Sequence, residues 1–488
     1  MAPNSVKTKS RVAIIGAGAA GLAAATSLIS SNCEVYIIDK WERNDYLTRP
    51  TNRKSHKDSD LAKKSRFNST EMYSYPSELI EIPLGINLPT SMKLGGLTSV
   101  WGANIWFATP NEIGIESESE SAAYLRAQEL IAGVVPILGY PDANADSKTG
   151  FNNIEPFLSR RILKKISAAK KYSKNGLFLP SCLAVYKDRC ISCQECLKGC
   201  PTDSIYSAET EWEKLRSLRV ITPIKATAVS IQELFNKQVS VTLEDFQGIK
   251  SIINFDQVFI ACGAIATSAL LQRSGLFPKN VVLDDTQVFY LPIINFKHGR
   301  RNESDLTLAQ AFFRNFDSTE GLHISLYESS LDIKERGSSM IGFLAKLVPN
   351  IVWENLFAGI GFLPSKYSGK ILLQYQSGRS ILSIGNSLST KRTLRQYIKK
   401  HTKVLAKIGF FPLYPMVRIP NVGSSYHVGS VRNIQSQPLI EENGRVIGTS
   451  NVFAVDSSAL RKLPVGPITF PMIVNAFRIT ERVKVGEN

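Results

Sequence analysis

The sequence predicts an α/β protein. A parallel-sheet nucleotide-binding domain is joined by an α+β domain with an antiparallel sheet and by a small cysteine-bearing insertion. Three observations carry this. Between Arg11 and Asp39 an apolar run, a glycine-rich turn, a helical run and a second apolar run follow one another. Four of the seven cysteines fall between Cys190 and Cys200, too tight a cluster for scattered core residues. Farther on, period-two alternation over 370–384 gives way to a basic amphipathic pattern over 391–408, strand and then helix.

The first element reads residue by residue. Arg11-Val-Ala-Ile-Ile has the unbroken apolar character of a buried parallel strand. In the following Gly16-x-Gly18-x-x-Gly21, the first glycine permits the tight turn, the second lets backbone approach a pyrophosphate, and the third lets helix pack on strand. The helix then offers its free N–H groups to the phosphates. The second strand ends at Asp39, placed to accept ribose hydroxyls. The motif by itself does not choose between FAD and NAD.

The cysteines stand as Cys190-x2-Cys193-x2-Cys196-x3-Cys200, with Pro201 next. This is the ligand spacing of a ferredoxin-type iron–sulfur site. Structural zinc is the alternative, but zinc sites set two close pairs far apart. The expected centre is one [4Fe–4S] cluster on Cys190, Cys193, Cys196 and Cys200. The fourth ligand stays open: Cys182 or Cys262 could complete the site in place of Cys200, or a [3Fe–4S] cluster could do without one. Cys33 reads as a small buried residue.

Composition narrows the setting. With 43% hydrophobic and 20% charged residues among 488, the chain has the balance of a globular protein with room for more than one core. Its 58 Lys+Arg against 42 Asp+Glu give a net charge of +16, which attracts acidic partners and anionic surfaces. No nucleic-acid motif accompanies the charge. No secretory signal precedes the first strand, and the cysteine pattern suits a reducing compartment, so a cytoplasmic location is expected. The apolar stretch 340–364 is interrupted by Lys346, Pro349, Asn350, Glu354 and Asn355. It predicts two short amphipathic helices hinged at Pro349, in the core, as a lid, or in peripheral membrane contact. Residues 43–66 form the one long charged loop.

Three further segments bear a family resemblance. They are Lys93-Leu-Gly95-Gly96-Leu-Thr98-Ser-Val-Trp101-Gly102-Ala-Asn104, then Val258-Phe-Ile-Ala-Cys262-Gly263-Ala264, and Val452-Phe-Ala-Val-Asp456 with Gly466-Pro467-Ile-Thr469 beyond it. Together they resemble the glucose–methanol–choline (GMC) oxidoreductases, and the first resembles the pyranose oxidases in particular. The resemblance implies FAD, with Gly16, Gly18 and Gly21 at the pyrophosphate and Asp39 at the adenosine ribose. It sets Gly95, Gly96 and Thr98 beside the flavin, Gly263 and Ala264 over the nucleotide, and Asp456 near the ribityl and pyrophosphate region. Val100 stands where related enzymes carry a flavin-linking His, so non-covalent FAD is expected. The implied organisation is FAD-binding segments at 1–110, 209–285 and 435–488, a helical substrate-side segment at 111–180, the iron–sulfur insertion at 181–208, and a substrate domain at 286–434.

Oxidising a CH–OH group requires a base for the hydroxyl proton. Of the five histidines, His427 stands in Tyr426-His427-Val-Gly429-Ser430, which resembles the family's base-bearing His-x-Gly-Thr/Ser element. His401 reads as a solvated face residue, His56 lies in the charged loop, and His298 and His323 lack supporting context. The family's second His or Asn is replaced by Gly466, leaving Asn104, Asn421 and Tyr426 as substitutes. The expected activity is an FAD- and iron–sulfur-dependent dehydrogenase of an alcohol or sugar, passing electrons to an external acceptor such as an acidic ferredoxin or cytochrome. The alternatives are a reductase fed through the cluster, and an electron-transfer subunit without substrate chemistry.

Overall fold

The computed structural model describes residues 9–31, 33–41, 75–84, 86, 88–108, 110–114, 121–132, 160–169, 176–186, 188–193, 196, 200–295, 307–315, 321–328, 352, 355–385 and 389–483. At its centre the strand Ser10–Ile15 buries Val12, Ala13 and Ile14 completely, as an interior parallel strand must. It pairs with Cys33–Asp39 on one side and Gln257–Ile260 on the other. Thr222–Lys225 and Val452–Ala454 extend the two edges, and all four pairings are parallel. Stretches more than 400 residues apart in sequence thus share one sheet. The alanine-rich helix Ala19–Ile29 lies under it and packs against the C-terminal helix Thr469–Arg482, small side chains allowing both contacts.

A three-stranded antiparallel meander, Thr227–Glu233, Val239–Glu244 and Lys250–Phe255, interrupts the parallel sheet before its interior strand Gln257–Ile260. Two larger sheets complete the fold, antiparallel but for one parallel edge pairing, Ile80–Glu81 on Arg379–Ile384. One runs Val428–Asn433, Asn280–Asp285, Lys370–Gln376, Arg379–Ile384, with Ile80–Glu81 at its edge. The expected alternation over 370–384 is a hairpin here, closed by Ser377 and Gly378 at φ +50 and +84, the conformation a two-residue turn of matching twist requires.

The other sheet has six strands in the order Phe411–Pro412, Val288–Ile294, Leu356–Phe362, His323–Glu328, Ala309–Arg314, Leu177–Pro180. Its apolar side meets the helix Lys391–Thr402 and the segment after it around Phe289, Leu291, Ile324, Phe357 and Phe410. The last strand, Leu177–Pro180, runs directly into the cysteine segment, so this sheet and the cysteines are neighbours by chain connectivity.

Two expectations are corrected. Leu356–Phe362, expected as part of an amphipathic helix, is a central strand, because a partner on each side satisfies its backbone and Gly361 leaves room for the Phe289 ring. Pro349 and residues 340–351 lie outside the described residues, as do His56, His298 and the charged loop 43–66. His401 is 3% exposed, with Nδ1 against the amide of Asn315 and its ring on Tyr397. The helix turns that face inward, where the basic pattern suggested solvent. Among the described residues no helix is long and apolar enough to cross a membrane.

Gly361 leaves room for the Phe289 ring, which occupies the place a Cβ would take. Gly361→Ala is therefore expected to destabilise the protein by about 1–3 kcal/mol through overpacking, read as a lower urea midpoint.

Candidate active site and cysteine recess

A cleft of about 1510 Å³, open to solvent, runs along the carboxyl ends of the parallel strands. Its lining includes every residue that the sequence assigns to FAD except Gly21. The three fingerprint glycines have different reasons to be there. At Gly16, φ is +104 and a Cβ would lie 2.6 Å from the Ala261 carbonyl oxygen. At Gly21 a Cβ would strike the Gly16 carbonyl. At Gly18 nothing lies within 4 Å, so the protein itself has no need of a glycine there. What needs it is whatever enters the cleft. Gly18 also caps the helix Ala19–Ile29 without a side-chain hydrogen bond, leaving first-turn donors for an anion.

The second glycine turn closes on the first. Gly95 N–H donates to the Ala17 carbonyl at 2.9 Å, and a Cβ on Gly96 would sit 3.3 Å from Gly18 Cα. Thr98 Oγ1 donates to the Gly95 carbonyl at 2.6 Å and accepts from Ala208 N–H at 3.0 Å. Its hydroxyl therefore latches the turn to the helix Ala208–Ser217. Asp39 accepts from Ala17 N–H and Trp41 N–H, each at 2.8 Å, while lining the cleft.

Asp456 lines the cleft with its carboxylate bonded within the protein. One carboxylate oxygen accepts from Gly263 N–H and the Thr267 hydroxyl, the other from Ser458 N–H and its hydroxyl. Four protein donors fill the acceptor sites of a carboxylate. Burial pushes its pKa up, and those four bonds oppose the rise. It ties the Gly263–Ala264 turn to the C-terminal segment. Val100 is buried outside the cleft lining, between Thr98 and Trp101, which both face it.

His427 is set apart from its neighbours. Tyr426 and Val428 line the cleft, but His427 between them does not. Its ring stacks on Phe362 at 4.4 Å, both ring nitrogens are buried without a hydrogen-bond partner, and burial pushes its pKa down to about 3. Gly466 leaves a gap into which His323 fits: a Cβ there would lie 3.4 Å from His323 Nδ1. His323 Nε2 lies 3.1 Å from Ser325 Oγ, which accepts from Asn104 Nδ2 at 2.7 Å. Asn104 also bonds the Tyr327 hydroxyl. The sequence did carry a signal for this cluster, since His323, Ser325 and Tyr327 recur with period two in an apolar strand and so share a face.

Cys190, Cys193, Cys196 and Cys200 line one recess with Val185, Ile205 and Leu308. The recess holds roughly 320 Å³ including space open to solvent. Cys200 Sγ accepts from Ser204 N–H at 3.2 Å; burial raises its pKa, but bonds from Thr202, Ser204 and Ile205 outweigh that and leave it lowered. Cys182 lies outside the recess, with burial pushing its pKa up to about 12, and Cys262 belongs to the nucleotide cleft. Cys33 is half-buried. Among the described residues no group of three or more His, Cys, Asp or Glu converges as a metal-ion site.

Because Gly16 is required by the fold and Gly18 only by the cleft's occupant, their alanine variants should separate. Gly16→Ala should lose both stability and bound FAD. Gly18→Ala should keep the wild-type melting temperature while FAD affinity, followed by flavin fluorescence on titration, falls at least tenfold.

A GMC oxidoreductase family model matches residues 185–288. No curated protein matches the chain. Among solved structures, the crystal structure of pyridoxine 4-oxidase from Mesorbium loti matches over 97% of this chain and 99% of that one, with a TM-score of 0.61 and 14% identity. At that identity the likeness speaks for the fold alone, and 628 solved chains match, so the fold does not choose a substrate. The likeness to the GMC oxidoreductases thus rests on residues 185–288, and the fold and the glycine-lined cleft agree with it.

Proposed function

We propose that the protein is a dehydrogenase that oxidises a CH–OH group, on a sugar or a hydroxymethyl heterocycle, and passes the electrons out through an iron–sulfur cluster. The observation that carries this reading is a shared wall. Ile205 lines the cysteine recess, Trp101 lines the nucleotide cleft, and the residue between them is Tyr206. Trp101 Nε1 donates to the Tyr206 carbonyl at 2.8 Å and the two rings meet edge to face. Both residues are buried, so the path between the two sites is dry and packed.

The residues fit both groups. Gly16, Gly18, Gly95, Gly96, Gly263 and Ala264 let backbone close on FAD, and Asp39 stands at the ribose end. Four thiols around one recess, with amide donors on Cys200, suit a [4Fe–4S] cluster, whose thiolates are ordinarily hydrogen-bonded. Cubane ligands stand apart around a cage, which a single-ion arrangement does not resemble. When bound, FAD supplies a two-electron hydride acceptor and the cluster a one-electron exit. The chain's own part is to hold the alcohol against the flavin, exclude water with Trp101, Ile468 and Met472, and move one proton. An acidic one-electron carrier suits the surplus of +16.

A reductase is the second reading, favoured by one observation. Gly466 brings no side chain to help remove a hydroxyl proton, so electrons entering at the cluster would drive addition to a carbonyl or alkene.

Protein purified without air is expected to hold about four irons and four sulfides per chain, and Cys193→Ser to lose them. Pyridoxine, D-glucose and simple primary alcohols are then titrated anaerobically. Bleaching of the flavin followed by appearance of the reduced cluster in electron paramagnetic resonance supports the dehydrogenase. Iron-free protein removes the cluster from the proposal, and bleaching only by a low-potential donor reverses the direction.

A further inference from the structure

We propose that the protein docks on an anionic membrane surface through the helix Lys391–Thr402 and the apolar side chains that adjoin it. The inference concerns a surface outside the FAD cleft and stands whichever way electrons run.

The sequence concentrates its charge here. Between Glu354 and Glu441 there is no Asp or Glu, while twelve Lys and Arg fall in that interval, seven of them within 391–407. The helix and the turn after it sort these by phase. Leu394, Ile398 and Leu405 are buried on the six-stranded sheet, and Lys391, Arg392, Arg395, Lys399, Lys400 and Lys403 are exposed. Four of them, Lys391, Arg395, Lys399 and Lys403, follow one another at the four-residue spacing at which like charges destabilise a helix. The fold gains nothing from this row, so the reason for it lies outside the fold.

Neighbouring elements repeat the sign. Lys366 Nζ stands 4.8 Å from the centre of the Tyr367 ring, which packs on Tyr397 of the helix. The helix Arg160–Ala169, remote in sequence, shares the same packed cluster and adds an exposed Lys164.

Apolar side chains adjoin the cations. Thr402 Oγ1 donates to the Tyr414 hydroxyl at 3.0 Å, and Lys399 Nζ stands 5.8 Å from the centre of that ring. Just beyond, Met416 is 62% exposed. Phe411 is exposed too, as is Tyr290, whose backbone bonds that of Arg418.

A bilayer with anionic headgroups answers both features. Its surface charge attracts each nearby Lys or Arg, and Phe, Met and Tyr side chains enter the layer beneath the headgroups. The sheet argues against a redox partner at this face. Ile324 and Leu326 pack toward the helix, while His323 and Ser325 alternate to the opposite side, where Asn104 meets them. The cationic face is thus turned away from the polar layer behind the cleft, which suits a surface that seats the protein and leaves the cleft free.

The test mixes holoprotein with vesicles of phosphatidylcholine, alone or with about 30 mol% phosphatidylglycerol, and measures bound protein by flotation. Binding is expected on the anionic vesicles only, and is expected to be lost as salt rises from about 0.1 to about 0.5 M. The triple variant Arg395→Gln, Lys399→Gln, Lys403→Gln should keep the wild-type melting temperature and FAD content. Its affinity should fall roughly 100-fold, about fivefold per cation. If the triple variant melts early, Arg395→Gln and Lys403→Gln are measured singly, each about fivefold weaker. Met416→Ser should weaken binding about tenfold. The proposal is overturned by no binding to anionic vesicles at low salt, by equal binding to neutral ones, or by wild-type affinity in these variants. Tighter binding to a duplex oligonucleotide or to polyglutamate, at equal negative charge, gives the face to nucleic acid or to an acidic protein and overturns it as well.

Discussion

The buried carboxylate of Asp456 is the constraint on which the cleft depends. It joins a turn from the middle of the chain to the last strand of the parallel sheet, and all its acceptor sites are filled by donors from those two segments. A buried charge is tolerable only when it is paired in this way. Gly263 N–H, Thr267 and Ser458 hold it in place, and it holds the roof of the cleft over the Gly16 turn in return. Below it, Gly16 presses on the Ala261 carbonyl so closely that no side chain fits. Chain segments remote in sequence therefore meet at fixed distances.

The second turn depends on that meeting. Gly95 and Gly96 close over Gly18, and Thr98 carries the geometry onward to Ala208. The cysteine segment is held at both ends by the same structure. Before it, Cys182–Leu183 pairs with Asn104–Ile105; after it, Tyr206 packs on Trp101. The cysteine recess is thus joined by packing to the cleft wall.

Buried polarity tells where chemistry and structure part. His323, Ser325, Asn104 and Tyr327 form a connected chain of hydrogen bonds beside His427, in a layer walled by Trp106, Phe312 and Phe362. Burial, with Arg314 and His427 nearby, holds the His323 imidazole neutral. Unpartnered ring nitrogens in such a layer are costly, about 1–3 kcal/mol each. This layer lies behind the part of the cleft wall that Tyr426 and Val428 line.

Much of this was legible in the amino-acid sequence. Strand, Gly16 turn, helix and Asp39 are local in sequence, and local sterics dictate them; the spacing of the four cysteines is equally local, and they do face one recess. The hairpin at 370–384 followed from alternation. What sequence could not decide was direction and saturation. Whether His427 or Tyr426 faces the cleft turns on a one-residue phase that long-range sheet pairing sets. Whether Asp456 is free or filled depends on donors nearly two hundred residues away, at Gly263 and Thr267. Leu356–Phe362 looked helical because its glycines and apolar residues fit either period, and only partners on both sides made it a strand. Sequence by itself determined the glycine turns that line the cleft and the cysteine spacing that lines the recess. Tertiary structure decided which side chains face the cleft, because facing is a relation between segments and not a property of any one of them.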